Sequence, residues 1–216
     1  METEQSYSTL EEKAQDLVKK AMPVFMRQGI RAVNMADLAK AIGVSKKTLY
    51  KYFKDKRELI RLGMDQHCSE LSDVMERAQS VGDNAIESEL LIMKEVQEMV
   101  SGMHPSVLFD LQKYHPKAYR ALLEKRDAML LGTVESNIRR GQEEGVYNKN
   151  VHPVVAARFL VAISNAVNDL AQENSTGTSV SQLHMQSVHY HIHAISSPKG
   201  VQYFTDKMAS EFPTNP

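Results

Sequence analysis

The fold of this chain is decided by residues 34–53, which read NMADLAKAIGVSKKTLYKYF. Asn34 and Ser45 belong to the residue types that cap helix N-termini, and each stands directly before a short segment with helical character, residues 35–42 and 46–52. Gly43 separates the two segments and indicates a tight turn, while Leu49 supplies an apolar anchor in the second segment. The stretch therefore predicts two short helices packed as a helix-turn-helix.

The side chains that face outward from this helix pair have the chemistry of a DNA reader. Lysine can donate to guanine in the major groove, and threonine offers a hydroxyl and a methyl group to base edges. Tyr50, Lys51 and Tyr52 suit phosphate and sugar groups. Lys56 stands at the start of the next helix, where backbone N–H groups favour a phosphate. The predicted DNA-binding residues are Asn34, Met35, Ser45, Lys46, Lys47, Thr48, Tyr50, Lys51, Tyr52 and Lys56.

The charge of the chain is unevenly divided. Residues 1–63 hold 13 Lys or Arg against 8 Asp or Glu, whereas residues 64–216 hold 13 against 19, so a total of −1 conceals +5 and −6. A positive N-terminal part suits a polyanion, because each neutralised phosphate releases condensed counterions. A lysine-rich solvated helix face explains the same density without any partner.

Composition indicates a globular protein. The chain has 216 residues, of which 42% are hydrophobic and 25% charged, and its single cysteine, Cys68, excludes an internal disulfide framework. The acidic N-terminal stretch with Glu2 and Glu4 is unlike a secretory signal. The apolar run 154–163 contains Arg158 and is too short to span a bilayer. We therefore expect a cytoplasmic protein without membrane contact.

Apolar residues recur every three or four positions along the chain and predict an all-α fold. A capping box of Thr9 and Glu12 is expected to open the first helix, which Pro23 should kink. A second capping box, Asp55 with Glu58, should open a helix that ends at about residue 78. About six further helices are expected after it.

Residues 34–59 resemble the DNA-binding domain of the TetR family of regulators, and the resemblance extends over about residues 9–64. Its most specific part is Gly43-Val44-Ser45, then Thr48-Leu49-Tyr50, then Phe53-Lys54 with Lys56 and Leu59. The resemblance implies a homodimeric repressor whose second domain binds a small effector and moves the two DNA-reading helices apart. Asn34, where the family usually has threonine, and Pro23 depart from the family pattern. Lys47 replaces a usually small or neutral residue and indicates an operator of its own.

The resemblance implies a three-helix helix-turn-helix domain over residues 1–64 and a larger helical bundle for effector binding and dimerisation over residues 65–216. The helix that begins at Pro153 and the helix that holds residues 184–195 would pack against their two-fold mates as an intermolecular four-helix bundle. An ordinary intrachain core is the alternative for the same apolar faces. The dimer-interface candidates are Phe159, Ile163, Val167, His189 and His193.

Methionine and aromatic side chains of the second domain are candidates for an effector pocket, because they form adaptable apolar walls. At helical spacing they also suit a simple core. The pocket candidates are Met99, Met103, Phe109, Tyr114, Tyr119 and Met129. Of the clustered histidines only His189 and His193 share a helix face, which makes two metal ligands at most, so packing is predicted and no metal.

The sequence thus predicts a sequence-specific transcriptional regulator, an effector-responsive repressor that binds a near-palindromic operator in double-stranded DNA as a homodimer. No catalytic residue and no cofactor are expected. Two other functions stay open: an architectural DNA-binding protein without an effector, and an enzyme in the second domain. No nucleophile and base motif or Gly-rich phosphate loop supports the enzyme.

Overall fold

A computed structural model describes residues 6–173 and 177–211, and the fold is all-α as predicted. A 3-10 turn at Tyr7–Thr9 precedes ten helices in the described residues. They are α1 (Glu12–Gln28), α2 (Met35–Ala41), α3 (Lys46–Tyr52), α4 (Lys56–Val81), α5 (Ala85–Val100), α6 (Val107–Tyr114), α7 (Pro116–Glu143), α8 (Pro153–Glu173), α9 (Val180–Ile195) and α10 (Pro198–Glu211). The described part contains no β-strand, only an isolated bridge between Tyr147 and Ser196.

The start of α1 differs from the prediction. The helix begins at Glu12 with Glu11 at its N-cap, and no side chain caps it. Thr9 lies in the preceding 3-10 turn, where its hydroxyl donates to the carbonyl of Ser6 at 2.9 Å. The predicted capping box of Thr9 and Glu12 is wrong, because that turn places Thr9 before the helix. Pro23 lies within α1 on its exposed face.

The chain forms two compact units. The first comprises the residues up to Leu71 together with Gly102–Arg126, and the second comprises Ser72–Ser101 and the residues from Asp127 onward. The segment 102–126, which holds α6 and the first part of α7, therefore packs with the N-terminal helices although it lies far along the chain. The functional boundary after residue 64 stays a prediction.

The core of the first unit holds the helix-turn-helix in place. Leu38 of α2 and Leu49 of α3 are fully buried together with Phe25 of α1. Val107 and Leu111 of α6 belong to the same core. Burial of an apolar side chain of this size stabilises a fold by about 1.5–3 kcal/mol, so the inner faces of these short helices are firmly fixed.

The second unit has its own core, to which α5, α7, α8, α9 and α10 contribute. Ile86 of α5, Ile138 of α7, Ile192 of α9 and Phe204 of α10 are each at most 1% exposed. The helix α9 packs against both α8 and α5. Buried polar residues also occur in this unit, among them Glu89.

The helix α8 is long and apolar enough to cross a membrane by length and composition, with 21 residues and a mean hydropathy of 1.4. This finding is weak by itself, because core helices of soluble proteins have the same length and composition. The helix packs against α9, and Ala157 and Leu160 lie in the core of the second unit.

Candidate nucleic-acid interface

Two polar side chains start the helices of the helix-turn-helix, as the sequence predicts. The Oδ1 atom of Asn34 accepts from the backbone N–H groups of Ala36 (2.8 Å) and Asp37 (3.0 Å). The hydroxyl of Ser45 accepts from the N–H of Thr48 at 3.0 Å. Such caps satisfy backbone donors that a helix leaves unpaired, and each contributes about 1 kcal/mol.

The turn between α2 and α3 is a Schellman motif centred on Gly43. The N–H of Val44 donates to the carbonyl of Ala39 at 2.9 Å, and the N–H of Gly43 donates to that of Lys40 at 3.3 Å. Gly43 has a φ of 71°, and a Cβ atom there would meet nothing within 4 Å. Glycine is therefore required for the left-handed backbone, and not for a close helix approach.

The helix α3 has one buried side and one exposed side. Leu49 is fully buried, whereas Lys46, Lys47, Tyr50 and Lys51 are exposed. The ammonium group of Lys46 lies 5.7 Å from the centroid of the Tyr50 ring. The outer side thus presents cations together with a planar ring, which is suitable for phosphates and base edges.

Three other predicted DNA-binding residues lie at the edge of that side. Thr48 is half-buried, and its hydroxyl oxygen lies 2.8 Å from that of Ser45. Tyr52 is half-buried, and the Lys51 ammonium lies 5.0 Å from the centroid of its ring. Met35 is only 6% exposed and packs in the core, so its side chain supports α2 from inside.

Lys56 has partners within the first unit. Its ammonium group donates to the carbonyl of Ile30 and, at 2.6 Å, to that of Val33, and it lies 5.5 Å from the centroid of the Phe25 ring. Partial burial lowers the pKa of Lys56, and the charge of Asp110 opposes that shift. These hydrogen bonds stabilise the turn before α2. Lys56 is therefore not among the phosphate contacts that we propose.

Asp110 of α6 also stabilises the turn before α2. Its carboxylate is 4% exposed and accepts from the N–H of Arg31 at 2.9 Å and from the hydroxyl of Ser106 at 3.2 Å. The segment that leads into α2 is thus held by an ammonium group and a carboxylate. Sequence reasoning missed Asp110, because 79 positions separate it from Arg31.

The start of α4 follows the predicted capping pattern with one difference. Asp55 accepts from the N–H of Glu58 at 2.9 Å, as expected of an N-cap residue. The Glu58 carboxylate accepts from the N–H of Lys54 at 2.6 Å, one residue before the cap. These bonds fix the chain between α3 and α4.

Division into two units sharpens the charge asymmetry of the sequence. The first unit holds 18 Lys or Arg against 12 Asp or Glu, a net charge of +6. The second unit holds 8 against 15, a net charge of −7. The unit that carries the exposed face of α3 is therefore the one that attracts a polyanion.

The six predicted pocket residues are divided between the units. Met99 and Met129 lie in the second unit, and the other four in the first. Phe109 and Tyr114 are exposed on α6, and Tyr119 lies in the core. A cavity of about 220 Å³ in the first unit is lined instead by Ser6, Arg61, Met64, Asp65, Cys68, Ala118, Ala121, Leu122 and Lys125.

The predicted dimer residues differ in accessibility. Phe159 is 65% exposed on α8, Ile163 is half-buried, and Val167 is only 4% exposed. Val167 therefore packs within its own chain. The face of α8 that carries Phe159 also exposes Val155 and Leu170.

His189 and His193 contribute to the packing of α9 against α10. Their rings stack with centroids 4.4 Å apart, and both meet the ring of Phe204 edge-on at 5.2 and 5.3 Å. Among the described residues, no group of three His, Cys, Asp or Glu side chains is arranged to hold a metal ion.

These features define a helix-turn-helix DNA-binding domain. Residues 17–62 match the family model of bacterial regulatory proteins, tetR family. YvaF, an uncharacterized HTH-type transcriptional regulator of Bacillus subtilis, is 28% identical over 89 residues, which are 41% of this chain and 47% of YvaF. The sequence match thus spans about half of that relative.

Solved structures share the whole fold. The reduced form of NemR from E. coli has a TM-score of 0.68 at 14% identity, and the match covers 87% of this chain and 99% of NemR. A TetR-family transcriptional regulator from Streptomyces coelicolor has a TM-score of 0.63 at 19% identity, with 89% and 100% covered. Residues 17–62 therefore form a DNA-binding domain of the tetR family, and the solved structures show the fold of TetR-family regulators over most of the chain.

Proposed function

We propose that this regulator binds a near-palindromic operator in double-stranded DNA as a homodimer and represses transcription until a small effector binds. The outer side of α3 carries the proposal. Its exposed lysines and Tyr50 stand on a helix whose inner side is anchored by the fully buried Leu49. A short helix held in this way can enter the major groove without losing its orientation.

The predicted residues take different roles in this proposal. Lys46, Lys47 and Thr48 in the first turn of α3 read base edges. Tyr50, Lys51 and Tyr52 contact phosphate and sugar groups, which position the helix without reading sequence. Asn34, Met35 and Ser45 support the two helices in this proposal. Asn34 and Ser45 cap them, and Met35 packs in the core.

The exposed apolar face of α8 supports a homodimer. Val155, Phe159 and Leu170 are 44%, 65% and 37% exposed, and Tyr190 of α9 is 65% exposed. Apolar side chains repeated along one helix face favour burial against a second copy. A two-fold dimer presents two copies of α3, which matches a near-palindromic site.

The effector acts by population shift in this proposal. The dimer has one conformation in which the spacing of the two α3 helices fits the operator and another in which it does not. A ligand that binds the second conformation more tightly lowers the affinity for the operator. The regulator works in the cytoplasm, where its operator is accessible. Its second unit senses the ligand and has no enzymatic role.

The proposal is tested by selecting binding sites from random duplex DNA with the full chain. A palindromic site should be enriched. Its affinity should fall steeply with salt, because the slope of log affinity against log salt concentration becomes more negative by about 0.9 for each phosphate contacted. Phe159→Glu should convert the dimer to a monomer in analytical ultracentrifugation and abolish the preference for the palindrome. Lys94→Glu, an exposed change on α5, is the matched control and should leave both unchanged.

Failure of the selection would contradict the proposal. If no site is enriched and affinity is independent of sequence, the chain is not a specific regulator. If a single asymmetric half-site is enriched and Phe159→Glu has no effect, the dimer part of the proposal is wrong.

A further inference from the structure

One end of the second unit is tightly hydrogen-bonded around Arg140 of α7. The guanidinium group of Arg140 donates to Glu144 Oε1 (2.6 Å), Gln79 O (3.1 Å), Ser88 Oγ (3.2 Å) and Gly82 O (2.8 Å). The second carboxylate oxygen of Glu144 accepts from the N–H of Ala85 at 2.7 Å. These bonds tie together the end of α4, the start of α5 and the end of α7.

Three polar side chains lie beside this network, and two of them hold a buried oxygen atom without a hydrogen-bond partner. Glu89 of α5 is 4% exposed, and within the described residues it makes no hydrogen bond or ion pair. The hydroxyl of Tyr147 and the Oδ1 atom of Asn137 are buried, and neither has a hydrogen-bond partner. Buried polar groups in folded proteins are nearly always paired, so two unpaired oxygen atoms beside the buried Glu89 and a saturated network point to a ligand.

The three groups approach each other between α5 and α7. The Nδ2 atom of Asn137 donates to the carbonyl of Ala85 at 2.8 Å, and Glu89 lies one helical turn after Ala85. The ring of Tyr147 lies against Gly141, one turn after Asn137, so closely that a Cβ atom there would be 2.1 Å from it. The pKa of Tyr147 is raised by burial and by the negative charge of Glu89, which places these two side chains near each other.

We propose that Glu89, Tyr147 and Asn137 form the polar end of an effector site that binds the protonated nitrogen of a small alkyl or aryl amine. This inference rests on the proposed function, of which effector response is a part. The carboxylate, the phenol oxygen and the amide oxygen all accept hydrogen bonds, and an ammonium group only donates them. The apolar side chains of Ile86, Leu90 and Ile138 belong to the same closed core, so they must move apart to admit the hydrocarbon part of the ligand.

Binding of an amine moves a proton. Burial raises the pKa of Glu89 to about 7, so below that pH the empty site holds a neutral carboxyl group. An ammonium group favours the carboxylate, and the proton of Glu89 passes to the solvent when the ligand binds. Affinity for the amine should therefore rise with pH up to about 7 and then level off.

The inference is tested on the full chain with three probes of one size, hexylamine, 1-hexanol and hexanoate. Hexylamine should raise Tm and weaken binding to the selected operator, whereas the alcohol and the acid should do neither. Glu89→Gln should reduce hexylamine affinity at least about tenfold, because a charge-assisted hydrogen bond is lost. Tyr147→Phe should weaken hexylamine binding less, because one neutral acceptor is lost.

The control variant is Glu98→Gln, the same chemical change at an exposed position of α5, and it should respond to hexylamine like the wild type. Calorimetry in two buffers of different ionisation enthalpy should show proton release in the wild type at pH 6 and none in Glu89→Gln. A Tm unmoved by hexylamine, an equal response to hexanol or hexanoate, or an unchanged response in Glu89→Gln would overturn the inference. Each of these results leaves the proposed function standing if the operator is still bound, whereas absence of operator binding without any probe contradicts the proposed function itself.

Discussion

The outer side of α3 and the region around Glu89 place polar groups in opposite surroundings. The lysines of α3 are exposed to water and stand on a helix whose inner side is apolar and fully buried. Glu89 is buried and unpaired, next to groups that are saturated with hydrogen bonds. A surface site leaves the stability of its scaffold nearly unchanged, whereas a buried polar site reduces it until a ligand supplies the partners.

The largest effect should come from the scaffold under the surface site. Leu49→Ala leaves a cavity beneath α3 and should lower the free energy of unfolding by about 2–5 kcal/mol. Urea denaturation followed by circular dichroism measures it. Lys46→Ala in the same helix removes only an exposed side chain and should change the free energy of unfolding by less than about 0.5 kcal/mol; a loss as large as that of Leu49→Ala would break the contrast between the two sides of the helix.

The next effect concerns the buried site and depends on pH. Because the pKa of Glu89 is about 7 in the fold and 4.5 ordinarily, the folded chain keeps a proton that the unfolded chain loses. Stability should therefore fall as pH rises from 4.5 to 7, by about 3 kcal/mol in all. Glu89→Gln should abolish this part of the pH dependence in urea denaturation series.

His191 provides the control with the opposite sign. Burial lowers the pKa of this imidazole to about 4 from 6.5. Between these two pH values the imidazole is neutral in the folded chain and protonated in the unfolded chain. Its contribution to stability is lost as pH falls from 6.5 to 4. His191→Gln should remove a rise of stability with pH between about 4 and 6.5, whereas Glu89→Gln removes a fall between 4.5 and about 7. An identical profile for both variants would contradict the assignment of either group.

The smallest predicted change in stability concerns the turn that leads into α3. Gly43→Ala forces an L-residue into the left-handed conformation and should lower the free energy of unfolding by about 1–2 kcal/mol. Nothing within 4 Å of its Cβ atom adds a clash. Gly132→Ala, at a helical position with equal space, is the matched control and should raise stability slightly.

Local signals explain what the sequence could predict. The caps at Asn34, Ser45 and Asp55 and the glycine at position 43 each act within a few residues, and the structure confirms all four. Features that depend on distant partners were not predictable in this way. The amide of Arg31 meets Asp110, 79 positions away, and the ammonium of Lys56 is bound by carbonyls more than twenty positions before it.

The same reasoning applies to the second unit. The pattern of α8 predicts one apolar stripe, but only packing decides that Val167 faces the core and Phe159 the solvent. The region around Glu89 joins α5, α7 and the segment after α7, so no local motif marks it. The sequence therefore predicted the helix-turn-helix and the exposed side of α3, whereas the DNA contacts of single residues and the position of an effector site stay predictions.

Direct readout by α3 is the central claim, and one measurement tests it. The selected operator and every single-base variant of one half-site are titrated with the wild type, Lys47→Ala and, as a matched control, Lys94→Ala. We predict that Lys47→Ala loses about 1–3 kcal/mol of affinity and relaxes preference at one base pair per half-site, with an unchanged preference elsewhere. Equal affinity and equal base preference for Lys47→Ala and Lys94→Ala would contradict the account.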